Sequence, residues 1–301
     1  MRSMSLIKYQ ILVKVVACGS FTKAAVQLGL TQPAVSHAIN SLETEFGFPL
    51  INRNRSGIQL TREGEILLPS LRRILQEDRN IHQQASEIHG TTRGTLHVGI
   101  FTSVTRHLLP RIIQVMDKDY SGIQLYLHEG NYIQIMEQIS AGKLDCGFIT
   151  FSSSKDLRCR PLMQDRILCI VSPRSALYHQ EAVSFRQLEE EPFIMPAFGG
   201  YHEIRRILSE HDVHPDIRFE LMEENAILSM VAHHLGISIL PELVLPEDIA
   251  PLRAIPLESE SYRTIQIATR LHPSPAAERF VEVAERVVKK QEVSSENRSH
   301  Q

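Results

Sequence analysis

The sequence predicts an α/β chain in three parts: a small helical head closed by a β-hairpin, one long helix, and a body of strands and helices in two sets. Three observations predict it. Within residues 20–43, SFTKAAVQLGLTQPAVSHAINSLE, two short amphipathic patterns meet at a glycine. Over residues 67–88 apolar positions repeat at heptad spacing. From residue 95 onward short apolar runs alternate with helix-period stretches, the pattern of a parallel sheet with crossover helices.

The head is read in order. Residues 5–18 form a first helix whose apolar face is Leu6, Tyr9, Leu12, Val13 and Val16. Ser20 caps the second helix, Ala24, Ala25 and Leu28 are its buried stripe, Gly29 stops it, and Leu30 plugs the turn. Thr31 caps the third helix, with Pro33 in the first turn, where a missing N–H costs nothing. Val35, Ile39 and Leu42 repeat at i, i+4, i+7 and face inward. Gln32, Pro33, Ser36, His37 and Asn40 face outward and include no acid, as suits a helix that lies in a major groove. The same spacing also fits a solvated helical corner. Strands near 49–52 and 58–61 flank a turn carrying Arg53 and Arg55, which reads as a wing.

These residues carry a specific resemblance. A(A/V)xxLxxTQPAVSxxIxxLExxxGxxL, with Gly19-Ser20-Phe21 before it and Leu60-Thr61-x-x-Gly64 after it, resembles the DNA-binding region of LysR-type transcriptional regulators. The match runs from about Leu6 to Leu75. The resemblance implies contact with double-stranded promoter DNA through Ser20, Thr22, Thr31, Gln32, Pro33, Ser36, His37, Asn40, Arg53 and Arg55.

Residues 62–90 read as one helix. Leu67, Leu71, Ile74, Asp78, Ile81, Ala85 and Ile88 form a seam that a lone helix cannot bury, so a second subunit is implied. In the family this helix dimerises the chain, and a homotetramer is implied. Beyond it, strand 95–101, helix 104–117, strand 123–128, helix 131–142 and strand 144–150 form a βαβαβ unit. A second set follows: strand 166–171, a short helix near 184–188, strand 193–195, helix 202–211, strand 217–221, helix 225–234 and strand 236–240. Strand 264–269 and helix 274–290 close the chain, and the tail QEVSSENRSHQ is expected to lack structure. The fold class expected is therefore α/β with an N-terminal winged helix-turn-helix, a long linker helix, and a two-lobed α/β effector domain that resembles periplasmic solute-binding proteins. The boundaries expected are 1–61, 62–90 and 91–301, with lobe I at 92–163 and 271–293 and lobe II at 164–270.

Open α/β sheets bind ligands at the carboxyl ends of their strands. Thr102 and Ser103 stand at the first such end, Asn131 and Tyr132 at the second, Thr150 and Phe151 at the third. Capping is the alternative role for Thr102 and Ser103. Across the cleft lie Phe198, Gly199, Gly200 and His202. Phe198 serves as wall or core, and His202 as contact or solvated helix residue. Asn225 is expected to cap the following helix and to offer a further contact. A small-molecule effector, a carboxylate or another small polar ligand, is implied. Relatives often have Thr or Ser where Tyr132 stands, which points toward a flatter, partly apolar ligand.

Composition bounds these readings. The 301 residues are 43% hydrophobic and 22% charged, ordinary for a globular chain. Arg2, Lys8, Lys14, Lys23, Arg53 and Arg55 stand against Glu43 and Glu45 in residues 1–61, a net of +4, and the remainder carries −7. A basic head on an acidic body places phosphate contacts in the head. No apolar run approaches a membrane span, and MRSMSLIKYQ lacks the features of a signal peptide. A cytoplasmic protein with no membrane association is expected, which argues against a secreted solute-binding protein. Cys18, Cys146, Cys159 and Cys169 form no CxxC, and no Cys follows Cys169, unlike the lobe II cysteine pair of peroxide-sensing members. Enzyme motifs are missing: there is no GxG, no GxxxxGK(S/T), no GxSxG, and Tyr132 and Arg206 stand where an HExxH motif needs its second His. No catalytic residue, cofactor or metal is expected.

Overall fold

The computed structural model describes residues 5–54, 57–88, 93–152, 154–197 and 202–296. The chain forms two compact units, one of Met1–Thr92 with Ser140–Lys143, which includes the long helix, and a larger one of Arg93–Ile139 with Leu144–Gln301.

In the first unit, α1 (Ser5–Cys18), α2 (Phe21–Leu28) and α3 (Gln32–Phe46) pack around Leu12, Val15, Ala24, Ala25, Val35, Ile39 and Leu42, with Leu50 and Ile51 from the wing. The face α1 buries is turned from the expected one: Ile11, Leu12 and Val15 are buried, whereas Leu6 is exposed. The Ser20 hydroxyl accepts from the Lys23 N–H (3.3 Å), and that of Thr31 accepts from the Ala34 N–H (3.4 Å). Gly29, at φ +65°, ends α2 in the left-handed region, and the Leu30 N–H donates to the Ala25 carbonyl. Leu30 itself is exposed and plugs nothing.

The wing is the antiparallel pair β1 (Ile51–Asn54) and β2 (Gly57–Leu60), with Ile51 opposite Leu60. It is fastened to α3 by the Glu43 carboxylate, which accepts from the N–H groups of Leu50 (2.7 Å) and Ile51 (3.1 Å). Thr61 starts α4 (Arg62–Ile88) by accepting from the Gly64 N–H while donating to the Pro49 carbonyl. A side chain at Gly64 would place Cβ 2.3 Å from the Leu50 carbonyl oxygen. The Thr-x-x-Gly spacing is thus a packing requirement.

The heptad seam of α4 divides. Leu71 is buried in the head's own core, and Leu67 packs against it. Ile74, Ile81 and Ile88 remain open at 44%, 64% and 85% exposure. The helix runs unbroken through Pro69.

In the second unit, β3 (Gly94–Ile100), β4 (Ile123–Glu129) and β5 (Cys146–Ile149) are parallel, with β3 in the middle. Two helices separate β3 from β4 where one was expected: α5 (Thr102–His107) and α6 (Leu109–Asp119). The break falls at Leu108, with Pro110 opening the new helix. α7 (Tyr132–Ser140) leads to β5.

The chain then enters β6 (Leu157–Val171), one 15-residue strand whose first half was not expected as strand. Residues 157–166 pair with β11 (Tyr262–Arg270). Residues 167–171 lie between β9 (Ser238–Pro241) and β10 (Arg253–Pro256). A single strand therefore belongs to both lobes. Lobe II adds β7 (Phe193–Pro196), α8 (His202–Glu210), β8 (Ile217–Leu221) and α9 (Glu224–Ala232), with β7 and β8 parallel. α10 (Pro275–Glu296) packs Phe280, Val281, Ala284 and Val288 into the lobe I core. It continues into the tail expected to lack structure; residues 297–301 lie outside the described residues. Lobe II has separate cores on the two faces of its sheet.

Candidate functional site

Two surfaces gather the candidate residues. On the head, Gln32, Pro33, His37 and Asn40 are exposed along one side of α3, with Ser36 half-buried beside them. Thr22 and Thr31 are exposed and Ser20 half-buried. The outer face of α3 has no acid until Glu45, whose carboxylate is paired with the Lys8 ammonium at 3.4 Å. Lys8, on α1, joins His37, Asn40, Ser41 and Thr44 around one shallow polar hollow. The sequence reading missed Lys8 because α1 reads as a core helix. The Arg53 side chain and all of Arg55 lie outside the described residues.

In the body, a cleft of about 290 Å³ opens at the carboxyl ends of β3 and β4. Lobe I supplies Phe101, Thr102, Ser103, Glu129, Gly130, Asn131, Tyr132 and Gln134, and lobe II supplies Glu224 and Val244. Four of the expected contacts line it: Thr102, Ser103, Asn131 and Tyr132. Neither Thr102 nor Ser103 caps α5; Phe101 holds the cap position and no side chain bonds there. Asn131 and Gln134 bond reciprocally, the Gln134 N–H to Asn131 Oδ1 (2.9 Å) and the Asn131 N–H to Gln134 Oε1 (3.1 Å), forming a capping box for α7.

The floor of the cleft is a buried polar network that the sequence reading did not foresee. Arg263 from β11 donates through Nε to Asp165 Oδ2 (2.7 Å), through Nη2 to Ser103 Oγ (2.8 Å), and through Nη1 to the Tyr132 hydroxyl. Both members of the ion pair are almost fully buried. Asp165 Oδ1 accepts from the Leu243 N–H (3.0 Å). Burial pushes the Asp165 carboxyl up from its usual range, opposed by the Arg263 guanidinium. Burial likewise pushes the Tyr132 phenol up, with Arg263 pulling it down and Glu203 and Glu224 adding to the rise. The Tyr132 ring meets Phe101 edge to face at 4.6 Å. The Ser103 and Tyr132 oxygens are thus occupied as acceptors, while their protons remain available to a ligand.

The other candidates distribute differently. Thr150 is buried at the end of β5 and its Oγ1 has no hydrogen-bond partner among the described residues. Phe151 is half-buried and does not line the cleft. Phe198, Gly199 and Gly200, and the side chain of His202, lie outside the described residues. Asn225 does not cap α9. Glu223 does, accepting from the Ala226 N–H (3.1 Å), while exposed Asn225 bonds Glu223 and its neighbour Glu224 lines the cleft. Cys146 and Cys169 are buried, and burial pushes both thiols up, away from reactivity. Among the described residues no cluster suits a metal ion and no helix is long and apolar enough to cross a membrane.

A winged helix-turn-helix, a long helix and a two-lobed α/β body with an interlobe cleft define a ligand-responsive DNA-binding protein in architecture. Comparison with known proteins places it. The family described as bacterial regulatory helix-turn-helix protein, lysR family, matches residues 6–65, and the LysR substrate binding domain matches residues 89–289. The chain belongs to the LysR family of transcriptional regulators: it is a DNA-binding regulator with an effector-binding domain, and not an enzyme.

It is 30% identical to the uncharacterized HTH-type transcriptional regulator YvbU of Bacillus subtilis (strain 168), over 93% of this chain and 98% of that one. It is 28% identical to OxyR of Escherichia coli (strain K12), a DNA-binding transcriptional dual regulator, over 89% of each. The fold superposes on a full-length OxyR variant from Pseudomonas aeruginosa with TM-score 0.79, at 22% identity and 96% coverage of each. The effector-binding domain of QuiR in complex with shikimate covers 66% of this chain and 98% of its own, with TM-score 0.60 and 21% identity.

Proposed function

We propose that α3 is the recognition helix and that the interlobe cleft is the site through which an effector controls promoter binding or activation. The observation that carries the first part is the capped, acid-free outer face of α3, with Gln32, Pro33, His37 and Asn40 exposed together. Short hydrogen-bonding side chains there suit base edges and adjacent phosphates. Arg53 and Arg55 of the wing and Lys8 of α1 supply positive charge for the backbone. The second part rests on the cleft's position at strand carboxyl ends, with Thr102, Ser103, Asn131 and Tyr132 on its walls. Thr150, Phe151, Phe198, Gly199, Gly200, His202 and Asn225 belong to the proposal from sequence alone. We propose further that the protein acts in the cytoplasm as a homodimer through α4, assembling as a tetramer. Its working parts are then residues 1–61, 62–90 and 91–301; the lobes follow the expected 92–163 plus 271–293 and 164–270 except that β11, paired with β5 and packed in the lobe I core through Ile265 and Ile267, goes with lobe I.

The test is a gel shift of the full chain on DNA flanking its own gene across a salt series. A specific shift that weakens steeply with salt, and is weakened by His37→Ala and Asn40→Ala on that site more than on random DNA, is expected. Equal losses on both DNAs would overturn the assignment of α3 as the reading element.

A further inference from the structure

The outer face of α3 ends on a charge that repels DNA. His37, Ser41 and Glu45 lie four residues apart along one stripe of the helix. Eight helical residues advance about 12 Å, and the major groove is about 12 Å wide. With His37 at base edges, Glu45 arrives at the rim of the groove, where the phosphates stand. Residues 1–61 contain two acids, Glu43 and Glu45. Glu43 is turned to the wing, where it accepts from the Leu50 and Ile51 N–H groups. Glu45 stays on the outer side, its side chain 40% exposed.

Glu45 faces a cation from another helix. Its carboxylate accepts from Lys8 Nζ of α1 at 3.4 Å. That is long for a charge-assisted bond, whose usual N···O distance is about 2.7–2.9 Å. The Lys8 side chain is only 18% exposed. Its stem is therefore packed, and its ammonium is aimed into the hollow it shares with His37, Asn40, Ser41, Thr44 and Glu45. Lys8 is the one lysine or arginine among the described residues lining that hollow.

As a strap between α1 and α3 the pair does little, because partly exposed ion pairs contribute little to stability. A DNA phosphate is the better partner for the ammonium. It permits a shorter bond, and neutralising it releases a condensed counterion, a gain that the carboxylate does not offer.

We propose that Lys8 is a DNA-backbone contact held in reserve by Glu45. In the free protein the ammonium rests on the carboxylate, and on DNA it passes to a phosphate at the rim of the groove that α3 enters. Glu45, left behind, opposes the phosphates of the same rim and so limits how tightly the head holds any DNA. This rests on the reading of α3 as the recognition helix.

The experiment is fluorescence anisotropy of the full chain with the DNA flanking its own gene and with a random duplex, from about 50 to about 200 mM salt. Lys8→Gln is expected to weaken binding several-fold on both DNAs alike. It is also expected to flatten the slope of log affinity against log salt by about 0.9 for each head that makes the contact. Lys8→Arg is expected to keep the wild-type slope. Glu45→Gln is expected to tighten binding roughly threefold or more on both DNAs.

The opposite signs separate an exchange of partners from a strap, whose loss from either side would weaken binding alike. Binding that Glu45→Gln weakens or leaves unchanged would overturn the proposal. So would a melting temperature lowered by more than about 5 °C in both Lys8→Gln and Glu45→Gln, which would mark the pair as a strap. A wild-type salt slope in Lys8→Gln would show that Lys8 meets no phosphate and would overturn it too. The reading of α3 would survive that result if His37→Ala and Asn40→Ala still lose more on the protein's own DNA than on the random duplex. Equal losses in those two variants would overturn that reading, and the placing of Lys8 at the groove rim with it.

Discussion

At the scale of single residues, the cleft is held by one guanidinium. Arg263 satisfies Asp165, Ser103 and Tyr132 at once, and none of these is within 95 residues of it in sequence. Removing one partner of a buried ion pair leaves an uncompensated charge, typically at a cost of about 3–5 kcal/mol, whereas replacing both with apolar residues of similar volume is often near neutral. Arg263→Ala is therefore expected to destabilise the body by that amount in urea melts. Arg263→Met combined with Asp165→Leu is expected to recover much of the loss. A cost for Arg263→Ala below about 1 kcal/mol would mean that water reaches Asp165 and that the pair is not a structural pin. This network explains why part of the site was hidden in the sequence. Ser and Thr at a strand end are legible as ligand or cap because both roles are local. A hydroxyl committed to an arginine brought in by a distant strand carries no local signal. Asn225 erred in the other direction, because Glu223, two positions earlier, takes the cap.

At the scale of elements, periodicity and punctuation made the head legible. Ser20, Gly29 and Thr31 each cap or end the helix the spacing assigns them, and Glu43 and Gly64 acquire roles in docking the wing that a motif alone does not state. The body's parallel strands were readable for the same reason, since buried strands show as short apolar runs. The first half of β6 was not, because LRCRPLMQDR alternates irregularly and becomes strand by pairing with β11, about a hundred residues away. The long helix shows how one apolar pattern can serve two masters. Leu67 and Leu71 continue the heptad seam in sequence but pack in the head. Ile74, Ile81 and Ile88 are left open at seven-residue spacing. Burying a side chain of this size gains roughly 1.5–3 kcal/mol, so an exposed row of three on one helix suits pairing with a second copy. Ile81→Asp is expected to convert dimers into monomers in sedimentation velocity and to leave the melting of the body unchanged. A dimer of unaltered affinity would place the subunit contact elsewhere.

At the scale of the whole molecule, charge and core formation partition the work. The head carries the positive excess and the body the negative one, so a DNA backbone is drawn to the first and repelled by the second. Each lobe of the body has its own buried clusters, in lobe I around Phe148, Ile267 and Phe280 and in lobe II around Phe193, Ile204 and Ile239. Both lobes share β6, so they cannot be separated without cutting a continuous strand. Residues 93–296 hold enough core to fold without the head. That fragment is expected to melt in a cooperative transition and to take up the cleft's ligand with the affinity of the full chain, while giving no shift on promoter DNA at any salt concentration. The measurement is calorimetric titration of fragment and full chain side by side, with a gel shift of each. Equal ligand affinity would mean that the cleft is complete within the body, so that coupling to DNA arises from what the bound lobes do to the assembly. A large loss of affinity in the fragment would mean that the head or the dimer itself shapes the site, and the effector would then have to be sought with DNA-bound protein.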